Sequence, residues 1–282
     1  MKKWFFVVSV FLLSGCSSQF VYNNMDWMVH WYLDDYIDLT KSQKKIFDEQ
    51  FEVWHAWHRK EELTKYAKQL KGIKEMVQSE QVDLASIQRH FDQVRGHWIS
   101  LRNRVSPDIA PMAKTLSQEQ VASLFDMLEK ENSKREEELD ESSQQSDEER
   151  AKERLSGLED GVKEWIGKLS ADQKAILQSY SPRFNSTARH WLKYRRHVQS
   201  LARTLFEQKD SNPNFEQDLI ALMSNPENHR HAELVEKNDA NNLLYSQMVV
   251  ELTSTLSAKQ KKRLIRKLDD YIDDFEDLSE DD

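Results

Sequence analysis

The stretch LTKSQ at residues 39–43 is the first of four copies of one pattern, in which a leucine is followed by Ser or Thr and, three residues later, by Gln. The other copies are LSQEQ at 116–120, LSADQ at 169–173 and LSAKQ at 256–260. This is the spacing of a capping box, in which the hydroxyl accepts from the third helical amide and the Gln side chain returns to the cap amide. The pattern predicts four helix starts, each worth about 1 kcal/mol, at Thr40 with Gln43, Ser117 with Gln120, Ser170 with Gln173 and Ser257 with Gln260.

The composition favours helices along the whole chain. Only 6 of the 282 residues are Gly and 5 are Pro, whereas 32% are charged and 38% are hydrophobic, which is typical of helical proteins. Between Thr40 and Gln78 the apolar residues recur at the 3–4 spacing of a helix, and no run alternates as a strand would. We therefore predict an all-α fold.

Further helices are expected wherever the same period returns. They are predicted at 26–38, 84–103, 118–139, 148–168, 183–208, 215–223, 233–253 and 258–275. The five prolines are expected at the joints between helices, where the missing amide costs least: Pro107, Pro111, Pro182, Pro213 and Pro226.

The chain also contains an imperfect internal repeat. The segments Arg89-His90-Phe91 and Arg95-x-His97-x-x-Ser100-Leu101 recur exactly 100 residues later, with Trp191 in place of the phenylalanine. Duplication explains this better than chance, so we predict an elongated bundle of two pseudo-repeated halves, 16–144 and 145–282.

Residues 129–154 are almost all polar, and a helix that is polar all round cannot bury a face. They predict a solvated, charged helical arm that joins the halves and breaks near 142–146. The acidic end, 273–282, is expected to fray.

The beginning of the chain predicts an export signal. Lys2 and Lys3 precede the apolar run 4–13, which is too short for a transmembrane helix and typical of a signal peptide, here 1–15. Leu13-Ser14-Gly15-Cys16 resembles the lipobox of bacterial lipoproteins. That resemblance implies cleavage before Cys16 and acylation of its thiol and its new amino group.

This resemblance and the charge together predict a location. Ser17 stands where an aspartate would, by resemblance to lipoprotein sorting, favour the inner membrane, so the outer membrane facing the periplasm is expected. Cys16 is the only cysteine, and its lipidation would leave no thiol for a disulfide. The net charge of −9 argues against nucleic acid and against electrostatic binding to anionic lipid.

Two further resemblances concern the body of the chain. The four capping motifs resemble the LTxxQ motifs of the periplasmic Spy/CpxP proteins, which are helical, stress-linked and chaperone-like. The segments 22–27, 31–36, 39–40 and 57–63 resemble an uncharacterised family of proteobacterial lipoproteins, a domain of unknown function. That second resemblance spans most of the mature chain and implies no activity.

Other candidate sites have an ordinary structural interpretation. Imidazole suits zinc or copper, but His90 with His97 and His190 with His197 are two turns apart rather than at the usual ligand spacing, and we expect them to be hydrogen-bonded histidines without metal. His55, His58 and Glu62 do have i, i+3, i+7 spacing, and we expect an ordinary helix interface there. The aspartate pairs at 34–35 and 269–270 are expected on a solvated face rather than around calcium. For the aromatic residues that follow Cys16, the preferred interpretation packs Trp27 and Trp31 into the core, and the alternative places them at the membrane surface.

No glycine-rich phosphate loop or nucleophile elbow is present in the sequence. We therefore expect a non-enzymatic lipoprotein whose only bound group is the covalent lipid at Cys16. It would bind envelope proteins in a chaperone-like way. One alternative is a structural or adaptor lipoprotein that recruits a single envelope partner, and another is an envelope hydrolase.

Overall fold

A computed structural model describes residues 16–280, with the backbone alone for residues 16–18. The predicted signal peptide, 1–15, lies outside the described residues. The helices are α1 Cys16–Asn23, α2 Met25–Leu33, α3 Lys41–Trp57, a π-helical turn His58–Glu62, α4 Leu63–Gln78, α5 Leu84–Lys114, α6 Gln118–Gln144, α7 Asp147–Ile166, α8 Ala171–Tyr180, α9 Ala188–Glu207, α10 Phe215–Ser224, α11 Ala232–Ser254 and α12 Ala258–Glu280. Short 3₁₀ turns, Ser181–Arg183 and Pro226–His229, precede α9 and α11.

The prediction of an elongated all-α bundle is confirmed, and residues 16–280 contain no strand. Its interior is built around three groups of buried side chains. The first core contains Tyr36, Ile37, Ala110, Leu116, Phe125, Phe206, Phe215 and Leu219. The second core contains Ile166, Leu169, Ile176, Leu177, Tyr180, Met248 and Leu252, and the third core contains Tyr22, Leu63 and Leu278.

The two sequence halves are closely interleaved. Helix α12 packs along α4, and α10 and α11 pack along α5, so helices of the second half cover helices of the first. The first core likewise draws Tyr36 and Phe125 from one half and Phe206 from the other. The division into two halves stays a prediction about ancestry, while the packing joins both halves into shared cores.

Two prolines lie where the sequence did not predict them. Pro107 and Pro111 are inside α5, which continues to Lys114 instead of ending near residue 103. A proline inside a helix costs about 3 kcal/mol. Ser106 and Ala110 of this helix are completely buried, and α10 and α11 pack along it. Tertiary packing therefore overrides the local preference.

The charged arm is not solvated on all sides. The expected break is at Gln145, between α6 and α7, but α6 packs against α9 along its length. Asn132 is fully buried and donates to Gln199 at 2.6 Å, and Arg196 donates to Glu129 and Glu136 at 2.8 and 2.9 Å. Polar contacts thus replace the apolar face that the sequence lacks, which the prediction did not consider.

The acidic end is helical up to Glu280, so the prediction of fraying is wrong for residues 273–280. Leu278 is 2% exposed and packs on Tyr22 and Leu63. Toward solvent, Lys71 and Lys74 of α4 pair with Glu276 and Asp269. One sparse apolar stripe and these ion pairs hold α12 against α4.

The tryptophans after Cys16 are outside the core. Trp27 is 67% exposed and Trp31 is 45% exposed, so the preferred interpretation that buried them is wrong. The buried face of this region belongs to Tyr22, which is 3% exposed. The tryptophans occupy the opposite face because they fall on the other side of the helical period. Within residues 16–280, every helix is too short or too polar to cross a membrane.

Candidate functional site

The four capping boxes associate in pairs. Each Gln Oε1 accepts from its own cap amide, at 2.9 to 3.0 Å. In the first glutamine clasp, Gln43 and Gln120 also donate to each other's Oε1, at 3.2 and 2.8 Å. In the second glutamine clasp, Gln173 and Gln260 do the same at 3.0 and 2.8 Å.

The second amide hydrogen of each glutamine closes the clasp onto the partner's backbone. Gln43 donates to the carbonyl of Thr115 at 3.2 Å, and Gln120 donates to that of Asp38 at 2.6 Å. In the second clasp the acceptors are the carbonyls of Thr255, at 3.3 Å, and Lys168, at 2.9 Å. Every acceptor lies two residues before a cap. Each clasp therefore satisfies backbone groups at two chain turns that have no helical partner.

Each clasp lies against a core of its own. Leu39 and Leu116, which precede the first two caps, pack in the first core. Leu169 and Leu256 pack in the second core. The leucine of the motif therefore anchors each turn by burial, and the glutamine joins it to the turn of the partner motif.

The two clasps differ in their surroundings. Gln173 is completely buried and Gln260 is 9% exposed, whereas Gln43 and Gln120 are half-buried. Gln43 and Thr115 line an open cavity of about 620 Å³ beside the first core. Pockets that hold small ligands commonly measure about 300–1,000 Å³, so we take this cavity as the candidate functional site.

The cavity is almost entirely apolar. Besides Gln43 and Thr115, it is lined by Tyr32, Leu33, Tyr36, Ile37, Leu39, Ile46, Phe47, Ile109, Pro111, Met112, Ala113, Leu116, Leu124, Leu128, Phe206, Leu219 and Met223. Among the lining residues, Tyr32 and Tyr36 also carry polar side-chain groups, and their hydroxyls are 3.0 Å apart. Burial, followed by the hydrogen bond with Tyr32, raises the pKa of Tyr36, so this hydroxyl stays neutral. The cavity therefore suits an apolar guest with a few hydrogen-bonding groups.

Ion pairs lie close to the cavity in sequence. Lys44, beside Gln43, pairs with Asp34 at 2.9 Å, and Lys114, beside Thr115, pairs with Glu216 at 2.9 Å. Lys209 donates to the carbonyl of Leu116. Two of these lysines are paired with carboxylates of the protein, and the third is bonded to a backbone carbonyl.

A second group of polar residues surrounds the π-helical turn. Glu62 is completely buried, and its Oε1 accepts from Lys65 at 2.7 Å and from Ser100 at 2.8 Å. Burial raises the pKa of Glu62, but the bonds from Lys65 and Ser100 outweigh it and leave the pKa below its ordinary value. His97 lies 3.7 Å from the other oxygen. The extra residue of a π turn places Glu62 inside the bundle as a charged group held by partners.

His58 of the same turn is held between two tyrosines. Its Nδ1 lies 2.9 Å from the Tyr22 hydroxyl and its Nε2 lies 3.3 Å from that of Tyr66. Burial lowers the pKa of His58 from 6.5 to about 4, despite the nearby Glu62 carboxylate. His58 is therefore neutral at pH 7.

This shift predicts acid sensitivity. The pKa of His58 is lower in the folded chain than in the unfolded chain, so the unfolded chain takes up a proton first as the pH falls. The stability that comes from keeping His58 neutral is therefore complete above pH 6.5 and is lost as the pH falls toward 4. We expect the free energy of unfolding to fall by about 2 kcal/mol between pH 7 and 5 through this residue alone. Urea unfolding of the wild type and of His58→Gln at both pH values measures it. The variant should lose that part of the pH dependence, and equal slopes for the two chains would contradict the assignment.

The histidines that were considered and not preferred as metal ligands have different partners in the two halves. His97 bonds Gln69 at 2.7 Å, whereas His190 bonds Lys237 at 2.7 Å and lies 3.4 Å from His231. Within residues 16–280, no three His, Cys, Asp or Glu side chains are placed to hold a metal ion. Asp34 and Asp269, considered for calcium, each pair with a lysine.

The cavity and the pairing of the caps were missed at the level of sequence. The lining residues come from six helices and the turns between them, up to 191 positions apart, so no local pattern marks them. The even number of Leu-Ser/Thr-x-x-Gln motifs was an available signal for the pairing. A capping-box glutamine uses one oxygen lone pair locally, and its amide group remains free to bond a second copy.

Fold and site together define an all-α bundle tied by two glutamine clasps and carrying an open apolar cavity. The chain belongs to the Family of unknown function (DUF6279), whose family model matches residues 35–234. This confirms the resemblance to an uncharacterised domain family, and the matched range includes the first clasp and all of the cavity lining except Tyr32 and Leu33. No curated protein and no solved structure matches the chain.

Proposed function

We propose that this protein is a lipoprotein anchored through Cys16 to the periplasmic face of the outer membrane. There it acts without catalysis, binding apolar segments of envelope proteins in the cavity in a chaperone-like way. The observation that carries this proposal is the open apolar cavity of about 620 Å³ beside the first clasp. An apolar surface that is left open to water costs free energy, and a guest recovers that cost when it binds.

The cavity lining supports a guest with peptide character. Aliphatic and aromatic side chains offer a site for apolar side chains, and Met112 and Met223 can adapt to several shapes. The hydroxyls of Tyr32 and Tyr36, which lie 3.0 Å apart, add a small polar group to this lining. This combination suits exposed apolar stretches of an unfolded client.

The test uses the body from Ser17 to Asp282. Of the residues that the structure describes, none before Tyr22 belongs to a buried core, so this body retains all three cores. At several-fold excess it should delay the aggregation of an unfolded client, as followed by light scattering. Ala113→Trp fills the cavity and should abolish the delay, and Met223→Trp does so from another helix.

Ala122→Trp is the matched control, because Ala122 lies on the exposed side of α6. Circular dichroism establishes that each variant folds. The proposal is wrong if the wild-type body gives no delay, or if both filled variants delay aggregation as well as the control does.

A second candidate function is recruitment of one envelope partner. A second cavity, of about 740 Å³, is lined by Trp191, Tyr194 and Arg195 among others, and Arg230 lies over the Trp191 ring at 5.1 Å. Tryptophan, tyrosine and arginine often dominate binding at specific interfaces. A photo-crosslinker at position 191 should then trap one dominant partner in cells, whereas a broad set of adducts would favour the client-binding function.

A further inference from the structure

The helices that follow Cys16 carry an exposed aromatic face. Trp27 and Trp31 are one turn apart on α2, and Phe20, which is 68% exposed, lies two turns before Trp27 on α1. The amide of Asn24 bonds the carbonyl of Phe20 at 3.1 Å, and Asn24 itself leaves the helical conformation (φ −115°, ψ 28°) before α2 begins. Trp27 and Trp31, four residues apart, share one side of α2, and Phe20 is an exposed ring of the preceding α1. We call these three exposed rings the aromatic face.

Helix α1 is bonded to the body, and Met25 at the start of α2 packs on the third core. The Tyr22 hydroxyl lies 2.9 Å from His58, Asn23 accepts from Arg59 at 2.6 Å, and Gln19 donates to Asp277 at 3.3 Å. These bonds reach the π-helical turn and the end of α12. The aromatic face therefore points outward in a fixed direction.

The charge of this segment is unlike that of the rest of the chain. Residues 16–33 contain a single charged side chain other than histidine, Asp26, whereas 32% of the whole chain is charged. A water-facing helix of this protein would be expected to carry lysines and glutamates, as α4 and α12 do. Tryptophan and tyrosine are enriched at membrane–water interfaces, where their amphipathic rings lie at the level of the lipid headgroups.

We propose that the aromatic face lies in the bilayer surface and sets the orientation of the body on the membrane. Phe20 is four residues after Cys16 and Trp31 is fifteen, a span of about 22 Å along a helix, so lipid chains attached at Cys16 would hold all three rings at the interface. This inference rests on the proposed anchor and adds a second, oriented contact to it. Because the net charge is −9, the contact is apolar and does not depend on anionic lipid.

The test measures which tryptophans touch lipid. The full chain is purified from cell membranes and reconstituted into phosphatidylethanolamine–phosphatidylglycerol vesicles, with or without bromine on the upper acyl carbons. Bromine quenches tryptophan emission at contact. Brominated vesicles should quench the wild type, and Trp27→Phe/Trp31→Phe should lose that quenching.

The matched control is Trp98→Phe/Trp191→Phe, which removes two exposed tryptophans elsewhere, 62% and 37% exposed. This control should be quenched like the wild type. Equal quenching of the Trp27/Trp31 variant and the wild type, or no quenching of either, would overturn the inference. Mass spectrometry of the same preparation reports on the lipid, so a failed anchor is distinguished from a failed aromatic face.

Discussion

Gln173→Ala is expected to lower the free energy of unfolding by about 3 to 4 kcal/mol. The substitution removes both bonds to Gln260 and the bonds to the Ser170 amide and the Thr255 carbonyl. Gln173 is completely buried, so water does not replace these partners, and each buried polar group left unpaired costs about 1–3 kcal/mol. The midpoint of thermal unfolding should fall by about 10 °C.

The first clasp supplies the control. Gln43→Ala removes the same set of bonds, but Gln43 is half-buried, so water can hydrate the partners that remain. We expect a loss of about 1 kcal/mol. Urea unfolding of both variants and of Gln173→Ala/Gln260→Ala measures the difference. The double variant should cost clearly less than the sum of its single variants. A Gln173→Ala variant no less stable than Gln43→Ala would contradict the claim that burial makes the second clasp the more stabilising of the two.

Much of the fold was predictable because its local signals agree. The 3–4 spacing of apolar residues and the four Ser/Thr-x-x-Gln motifs determine where α3, α6, α8 and α12 begin. A capping box needs only residues that are adjacent in the chain. These features can therefore be recognised in a single sequence.

The errors share one cause, which is that partners distant in the sequence decide the outcome. Pro111 stays inside a helix because other helices pack on α5. The arm at 129–154 buries Asn132 because α9 presents Gln199 to it. Leu278 is held by Tyr22 and Leu63, more than 200 residues away. None of these contacts leaves a pattern in its own segment.

The candidate site was less predictable than the fold. The capping glutamines were singled out as helix starts, and their local geometry suffices for that role. Their pairing and the cavity beside Gln43 depend on how turns far apart in sequence meet. Reading the sequence therefore finds the parts of the site but not the space that they enclose.

Cys16→Ala is expected to have the largest effect on where the protein is found. Each acyl CH₂ buried in a bilayer contributes about 0.8 kcal/mol, one chain holds a protein only marginally, and two or more hold it stably. Three chains on Cys16 would make dissociation negligible. Three exposed rings of the aromatic face are a much weaker contact. Without lipid, a chain freed of its leader should therefore leave the membrane pellet for the soluble fraction.

The most direct test of the account is metabolic labelling with palmitate. The wild type and Ser17→Ala, which keeps the thiol, should both incorporate the label and sediment with membranes, whereas Cys16→Ala should incorporate none. An unlabelled wild type, or a Cys16→Ala chain labelled like the wild type, would contradict the claim that lipid at Cys16 holds this helical body at the membrane.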